Sequence, residues 1–98
     1  MSAIISEPKP KRRKVTFSLA SPDAKEVILM GDFNQWNPKV HPMKKNKNGK
    51  WEKTTYLFPG TYEYLFMVDG HWKNDPNNHQ TRSNQFGTKN NFIVVRSA

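Results

Sequence analysis

Residues 59–72 read PGTYEYLFMVDGHW, a strand pattern enclosed by two turn signals. From Tyr62 to Val68 every second residue is large and apolar or aromatic, so one face of this strand suits the core of a sandwich. The Asp-Gly pair at 69–70 is the strongest short hairpin signal in the chain. The Pro-Gly pair at 59–60 fits the centre of a type II turn and predicts a second hairpin, formed with the strand before it. The stretch as a whole predicts antiparallel β-structure.

Similar signals recur before this strand. Val15, Phe17 and Leu19 alternate with polar residues, as in a half-buried strand. Residues 25–30 are apolar on both sides and predict a central strand. The Asn-Lys-Asn-Gly segment at 46–49 tolerates the positive φ angles of a hairpin loop, and predicts a hairpin between the strands on either side of it.

The C-terminal third contains fewer strand signals. Residues 73–89 are polar, rich in Asn and interrupted by Pro76, so they predict a long loop, and residues 92–95 predict a last strand. No amphipathic helical pattern is visible. About seven short antiparallel strands at this spacing predict an all-β fold, a small β-sandwich. We expect residues 13–96 to form this one module.

The composition limits the classes of function. The chain contains no cysteine, so a disulfide framework and thiolate chemistry are excluded, and a reducing cytoplasm is the expected location. Neither a secretory signal nor a membrane span is visible in the sequence. We therefore expect a soluble cytoplasmic protein with no membrane contact.

Half of the net charge lies near the N-terminus. The net charge is +8, and the first fourteen residues supply +4 of it. Clustered Lys and Arg can serve as a nuclear import signal or neutralise nucleic-acid phosphates. A basic terminus that only keeps a small domain soluble is the more common case. We predict a disordered basic tail at residues 1–12, and do not expect nucleic acid as the partner.

The sequence offers little for catalysis. His41, His71 and His79 lack metal-ligand spacing, so we predict neither a metal site nor a cofactor. Asp69 and Asp75 could form the carboxylate pair of a glycoside hydrolase, but turn formation already explains both. A domain this small also rarely encloses a catalytic pocket. The interpretation is a binding module and not an enzyme.

Two of the three tryptophans, Trp36 and Trp72, fall where the backbone turns. Large rings in such places form flat platforms for a ligand. Packing is the alternative for both, with Trp36 covering the end of the sandwich and Trp72 lying over Tyr64 or Phe66. Trp51 differs, because it lies on the alternating face of its strand and is predicted to be core.

Five stretches together resemble a known family. They are EVILMGDFNQWN at 26–37, GKW at 49–51, PGTYEYLFMVDGHW at 59–72, DP at 75–76 and QFGTKNN at 85–91. Their order and spacing resemble the glycogen-binding carbohydrate-binding module of family 48, and the resemblance covers nearly everything from residue 13 to residue 95. This module occurs in the β subunit of AMP-activated protein kinase and, in related form, at the N-terminus of isoamylases and glycogen-branching enzymes.

The resemblance implies an immunoglobulin-like (early set) β-sandwich that binds α-1,4-linked glucans such as glycogen, starch and maltooligosaccharides. In the family two tryptophans stack on glucose rings, and they match Trp36 and Trp72. An apolar side chain inserted into the curve of the glucan matches Phe86, and two residues that hydrogen-bond sugar hydroxyls match Thr88 and Asn90. Stacking is physically sensible, because the axial hydrogens of glucose give its ring an apolar face.

One position departs from the family pattern. The glycogen-binding β subunits carry a Lys on the strand before the Val-Asp-Gly turn, where this chain has Leu65. Leu65 is out of step with Tyr64 and Phe66, so it should face away from the core, near the two tryptophans. Loss of the Lys contact should weaken glucan binding by roughly 0.5 to 3 kcal/mol. Lys73 or Lys89 could replace it.

Three functions remain open at the level of sequence. The first is non-catalytic binding of α-1,4-linked glucans. The second is a regulatory or targeting subunit that docks a glycogen-metabolising enzyme or kinase, for which an outward face with Leu65 and Met67 leaves an apolar surface. The third is a single-strand nucleic-acid binder with the loop aromatics as stacking platforms, but no RNP-like pattern supports it.

Overall fold

The computed structural model describes residues 11–97, so most of the predicted tail at 1–12 lies outside the described residues. Within this range the chain forms eight strands and one 3₁₀ turn, Asp32–Asn34. The strands are β1 (Arg13–Ala20), β2 (Val27–Gly31), β3 (Lys44–Lys45), β4 (Lys50–Leu57), β5 (Gly60–Val68), β6 (His71–Lys73), β7 (Thr81–Ser83) and β8 (Lys89–Val95).

The strands form two antiparallel sheets. One sheet has the order β1-β4-β3, and the other has the order β2-β5-β8-β7 with β6 on the free part of β5. The alternating side chains of β1, β4 and β5 meet between the sheets, where Leu19, Trp51 and Phe66 belong to one buried cluster. The predicted all-β sandwich is therefore confirmed, and its second sheet presents an outer face to the solvent.

The hairpin predicted at Asp69-Gly70 is confirmed, whereas the prediction of a hairpin at Pro59-Gly60 is wrong. Asp69 and Gly70 both have positive φ (47° and 83°), as a two-residue type I′ turn requires, and they join β5 to β6. At the other turn signal β4 ends in one sheet and β5 begins in the other. Gly60 has φ 157°, far from the value of a type II turn. Both strands bury an apolar face, so they pack across the core instead of pairing edge to edge.

β2 is an edge strand, so its prediction as a central strand is wrong. It pairs only with β5 among the named strands, yet all five of its residues are buried. Residues 41–43 cover its free edge: the Leu29 N–H donates to the carbonyl of His41 (3.0 Å), and the Met43 N–H donates to the carbonyl of Val27 (2.9 Å). An irregular segment thus provides the cover that a neighbouring strand would give.

The long loop predicted for residues 73–89 contains one more strand. β7 pairs with the start of β8, and Arg82 lies opposite Asn90. The five-residue turn between them, 84–88, contains Gly87 at φ 80° and is closed by a backbone hydrogen bond from the Asn84 N–H to the carbonyl of Thr88 (2.8 Å). A glycine in a connection of this length is itself a hairpin signal, which the prediction of a long loop overlooked. This pairing gives eight strands where about seven were expected.

Candidate functional site

A groove of about 800 Å³ runs over the outer face of the five-stranded sheet. All six residues predicted to contact glucan line it: Trp36, Leu65, Trp72, Phe86, Thr88 and Asn90. They come from the loop after β2, from β5 and β6, and from the β7–β8 hairpin. The groove also includes residues that the sequence did not single out, among them Asp32, Glu63 and Asn84.

The turn that carries Trp36 has an unusual backbone. Gln35 and Trp36 have φ values of 53° and 56°, the left-handed region that side chains of this size rarely adopt. The Trp36 N–H donates to the carbonyl of Gly31 at 3.0 Å. A Cβ atom on Gly31 would lie 2.7 Å from the carbonyl oxygen of Glu63, so the close approach of this turn to β5 requires glycine. The surrounding structure thus imposes the conformation of Trp36.

Buried Asn34 anchors this turn. Its Oδ1 accepts from the Gly31 N–H (3.1 Å), and its Nδ2 donates to the carbonyl of Leu29 (2.9 Å) and to Nδ1 of His41 (2.9 Å). Nδ1 of His41 must therefore be unprotonated in the fold. Burial lowers the pKa of His41, and the positive charge of Lys53 lowers it further. Both effects favour the neutral ring that Asn34 needs.

Asp32 fixes the indole of Trp36. Its Oδ1 accepts from Nε1 of Trp36 at 3.1 Å, and its Oδ2 accepts from the backbone N–H of Glu63 at 2.8 Å. One carboxylate thus joins the indole to β5. Because Nε1 lies at the edge of the indole, this hydrogen bond sets the direction of the ring without occupying either of its faces.

Trp72 is the second tryptophan of the groove. It lies on β6 opposite Met67, directly after the type I′ turn, and 54% of its surface is exposed. Oδ1 of Asp69 accepts from the N–H groups of Lys25 and Glu26, which ties this turn to the start of β2. The rings of Trp36 and Trp72 have centroids 6.1 Å apart and an interplanar angle of 70°. Their planes are therefore nearly perpendicular.

The third part of the groove is the β7–β8 hairpin, which Asn84 organises. Its Oδ1 accepts from the N–H groups of Phe86 (3.0 Å) and Thr88 (3.1 Å), and its Nδ2 donates to Thr88 Oγ1 (2.7 Å) and Asn90 Oδ1 (3.0 Å). Phe86 stands at the tip with 79% of its surface exposed. Nδ2 of Asn90 donates to Oε1 of Glu63 (3.2 Å), which links the hairpin to β5.

Leu65 lies on the face that the alternation predicts, but it is not an exposed apolar patch. It pairs with Met30 of β2 and lines the groove, and only 8% of its surface is accessible. Met67 is half-buried. The expectation of an exposed apolar docking surface at these two residues is therefore wrong, because the groove is walled by larger side chains around Leu65.

Other predicted roles are structural. Trp51 is buried (7% exposed) and its Nε1 donates to the carbonyl of Ser21, which confirms it as core. Oδ2 of Asp75 accepts from the hydroxyl of Tyr64 at 2.7 Å, and its Oδ1 accepts from the Asn77 N–H. Burial raises the pKa of the Tyr64 phenol, which stays protonated as the donor to Asp75. Residues 11–97 contain no group of three or more His, Cys, Asp or Glu that could hold a metal ion.

A second cavity of about 350 Å³ lies between the sheets at the edge of β1. Tyr64, Asp75 and Asn78 line its polar side, and Val15 and Ile93 its apolar side. No tryptophan and none of the six predicted residues reaches it. Of these two cavities, the six predicted residues line only the groove.

A sandwich with two indole platforms and amide groups along one groove has the fold and surface of a carbohydrate-binding module. The family model described as the glycogen recognition site of AMP-activated protein kinase matches residues 14–98, and the chain belongs to this family. The fold is accordingly the immunoglobulin-like (early set) sandwich that the resemblance implied, and the family is one that binds glucan.

Named relatives agree with this assignment. The chain is 40% identical over 81 residues to protein PTST homolog 2, chloroplastic, of Arabidopsis thaliana, covering 82% of this chain and 15% of that protein. It is 38% identical over 78 residues to 5'-AMP-activated protein kinase subunit beta-2 of Homo sapiens, covering 80% of this chain and 28% of the subunit. The chain thus spans less than a third of these relatives.

A maltogenic amylase from S. marinus superposes with a TM-score of 0.73 at 22% identity, over 98% of this chain and 16% of the amylase. This likeness concerns the fold.

Within residues 11–97 no helix is long and apolar enough to cross a membrane.

Proposed function

We propose that the groove binds α-1,4-linked glucans without chemical change, with glucose rings stacked on Trp36 and Trp72. The observation that carries this proposal is the convergence of all six predicted residues on one groove. The angle of 70° between the indoles adds a geometric reason. A straight chain cannot lie flat on two nearly perpendicular platforms, whereas an α-1,4-linked glucan curves from one ring to the next.

The other groove residues have matching roles in this proposal. Phe86 at the hairpin tip provides an apolar side chain for the inside of the glucan curve. Thr88 and Asn90 face sugar hydroxyls, and Asn84 holds both in place through its amide. Leu65 is the apolar floor of the groove, in the position where the glycogen-binding β subunits have a Lys.

The proposed role is non-catalytic. Asp32 and Glu63 are the acids that line the groove, and structural hydrogen bonds engage both: Asp32 to Trp36 and to the backbone of β5, Glu63 to Asn90. Glu63 also lies 3.9 Å from Arg82. We further propose residues 13–96 as the module and, from the absence of cysteine, the cytoplasm as its location.

Retention on amylose resin tests the proposal. The protein should bind the resin and elute with soluble maltoheptaose, and a Trp36→Ala/Trp72→Ala variant should pass through while retaining its circular dichroism spectrum. A folded native protein that does not bind, or binding that survives in the double variant, would contradict it.

A second candidate function is docking of a glycogen-metabolising enzyme or kinase. The favouring observation is an aromatic pair near the end of β4, on the side of the molecule formed by the three-stranded sheet: Tyr56 is 61% and Phe58 44% exposed. In size-exclusion chromatography the variants Tyr56→Ser and Phe58→Ser should no longer co-elute with the partner, tested as glycogen phosphorylase and as AMP-activated protein kinase. Both variants should still bind amylose. Absence of co-elution for the native chain removes this candidate.

A further inference from the structure

Strand β1 has one edge that no other described strand covers. It lies at the end of the three-stranded sheet and pairs with β4 alone, in one unbroken register from Arg13 to Ala20. Its sequence contains no proline and its register contains no bulge, although these two devices often block pairing at an exposed edge. We call the side of β1 that faces away from β4 the free edge.

The backbone groups of Thr16 and Ser18 point to the free edge. In an antiparallel pair, alternate residues direct their N–H and C=O groups to the partner strand, and the residues between direct theirs away from it. The Ser21 N–H donates to the carbonyl of Gly49 (3.2 Å), which continues the register by one residue and shows that odd-numbered residues face β4. Within residues 11–97 no other strand, isolated bridge or loop hydrogen bond uses the backbone of Thr16 or Ser18.

The free edge borders the cavity of about 350 Å³ between the sheets. Thr16 and Ser18 line this cavity together with Val15, Phe17 and Ile93. A strand added at the free edge would direct every second side chain to the core side, next to Val15 and Phe17. The cavity therefore offers space for apolar side chains of such a strand.

The solvent face of β1 carries a lysine. Thr16 and Thr54 lie opposite each other, and their hydroxyl oxygens are 3.1 Å apart on this exposed face. Lys14 is two residues before Thr16 and therefore on the same face, opposite Tyr56. The described residues offer Lys14 no ion pair. A strand added at the free edge places one of its own side chains directly beside Lys14, where an acid is favoured.

We infer that the free edge of β1 binds an extended strand of a partner protein, antiparallel to β1, with acidic residues on one face and apolar residues on the other. The backbone of this strand bonds to Thr16 and Ser18, its apolar side chains enter the cavity, and one acid lies opposite Lys14. The partner is a polypeptide because the donors and acceptors of the free edge repeat with the spacing of a strand. The groove belongs to the other sheet, so strand and glucan do not compete.

Capped peptides test the inference on the native protein by calorimetry. The peptide EVTVTVE has its Val side chains on one face and places a Glu opposite Lys14 when it pairs antiparallel with β1. At low salt it should bind about fivefold more tightly than KVTVTVK, which reverses the charge. EVPVPVE should not bind, because proline replaces the two residues whose N–H groups would donate to the free edge.

Variants of β1 provide the matched test. Thr16→Pro removes an N–H that points to the free edge and leaves the bonds to β4 in place, so it should abolish binding of EVTVTVE while amylose retention persists. Lys14→Glu should reverse the preference, so that KVTVTVK binds more tightly than EVTVTVE. The control Lys44→Glu makes the same charge change on β3, at the other edge of the same sheet, and should keep the native preference.

Amide hydrogen exchange needs no variant. In the free protein the N–H groups of Thr16 and Ser18 should exchange faster than that of Phe17, which points to β4. Saturation with EVTVTVE should slow exchange at Thr16 and Ser18 by about tenfold.

Four results would overturn the inference: no binding of EVTVTVE, no preference for it over KVTVTVK, binding that survives in folded Thr16→Pro, or unchanged exchange at Thr16 and Ser18 under saturating peptide. Sedimentation tests the other occupant. If the protein forms a dimer that Thr16→Pro abolishes and the peptide does not bind, the free edge pairs with a second copy and the inference is wrong. The glucan proposal is judged separately by amylose retention of the native chain.

Discussion

Nε1 of Trp36 donates a hydrogen bond to Oδ1 of Asp32 at 3.1 Å, so an acid four residues earlier in the same turn orients the indole. The other oxygen of Asp32 accepts from the backbone of β5 at 2.8 Å, and the platform is thereby tied to the sheet beneath it. The indole of Trp36 is thus held in one direction in the free protein. Such preorganisation reduces the cost of ordering a side chain on binding.

Removal of this carboxylate should weaken glucan binding without unfolding the protein. Asp32→Ala should lower the affinity for maltoheptaose by about 1 kcal/mol, because the indole loses its fixed direction. Isothermal calorimetry measures the change. Asp23→Ala, in an exposed turn outside the groove, serves as the control and should bind as the native chain does. If both variants lost the same affinity for maltoheptaose, Asp32 would act through the overall charge of the protein and not through its hydrogen bond to Trp36.

The three tryptophans should respond differently to truncation. Trp36→Ala and Trp72→Ala should each lose about 1 to 3 kcal/mol of glucan binding, the range for stacking platforms, and stay folded. Trp51→Ala should instead lose about 3 to 5 kcal/mol of unfolding free energy, since that ring is core. Urea denaturation and calorimetry separate the two effects. If the Trp36 or Trp72 variant unfolds, that ring is needed for packing, and its role as a stacking platform is contradicted.

Acid should destabilise the fold through His41. Its pKa is lowered by burial from 6.5, so the unfolded chain binds the proton more readily than the folded chain does. The stabilisation is present above about pH 6.5 and is lost as the pH falls through the lower folded pKa. The melting temperature measured between neutral and acidic pH should fall less steeply in His41→Gln than in the native chain. An unchanged slope in His41→Gln would contradict this assignment.

Position 65 tests the transfer of the family's Lys onto this groove. Leu65→Lys should lose about 1 to 3 kcal/mol of stability, because an 8%-exposed apolar side chain is removed. Its stem can still pass along the apolar floor with the ammonium in the groove, so affinity for maltoheptaose should rise by about 1 kcal/mol. Leu65→Met is the control of similar length without a donor. Weaker binding by folded Leu65→Lys would show that Leu65 itself contacts the sugar.

The two-residue period of the strands was sufficient to predict the faces of the sandwich. Tyr64 and Phe66 are core, as the alternation predicts. The same alternation places Glu63 and Leu65 on the opposite face, and both line the groove there. Strand pairing was less predictable. β2 is buried by an irregular segment and not by a neighbouring strand, and no local pattern encodes that long-range cover.

The residues predicted to contact glucan include conspicuous rings and an apolar tip, whereas the sequence analysis did not single out residues whose role is to hold another side chain. Asn84 has five side-chain hydrogen bonds within the β7–β8 hairpin, but one Asn in an Asn-rich stretch carries no distinguishing signal. Asp32 was visible only as part of a motif. Its spacing of four residues from Trp36 could have suggested the contact.

The central claim is that glucan lies on Trp36 and Trp72, and the chain's three indole N–H groups allow a direct test by two-dimensional NMR. Titration with maltoheptaose should shift the Nε1–H resonances of Trp36 and Trp72, assigned with the single alanine variants, because the sugar covers their rings. The buried Trp51, whose Nε1–H donates to Ser21, is the internal control and should not move. If saturating maltoheptaose leaves the Trp36 and Trp72 resonances in place, the groove does not bind glucan as described.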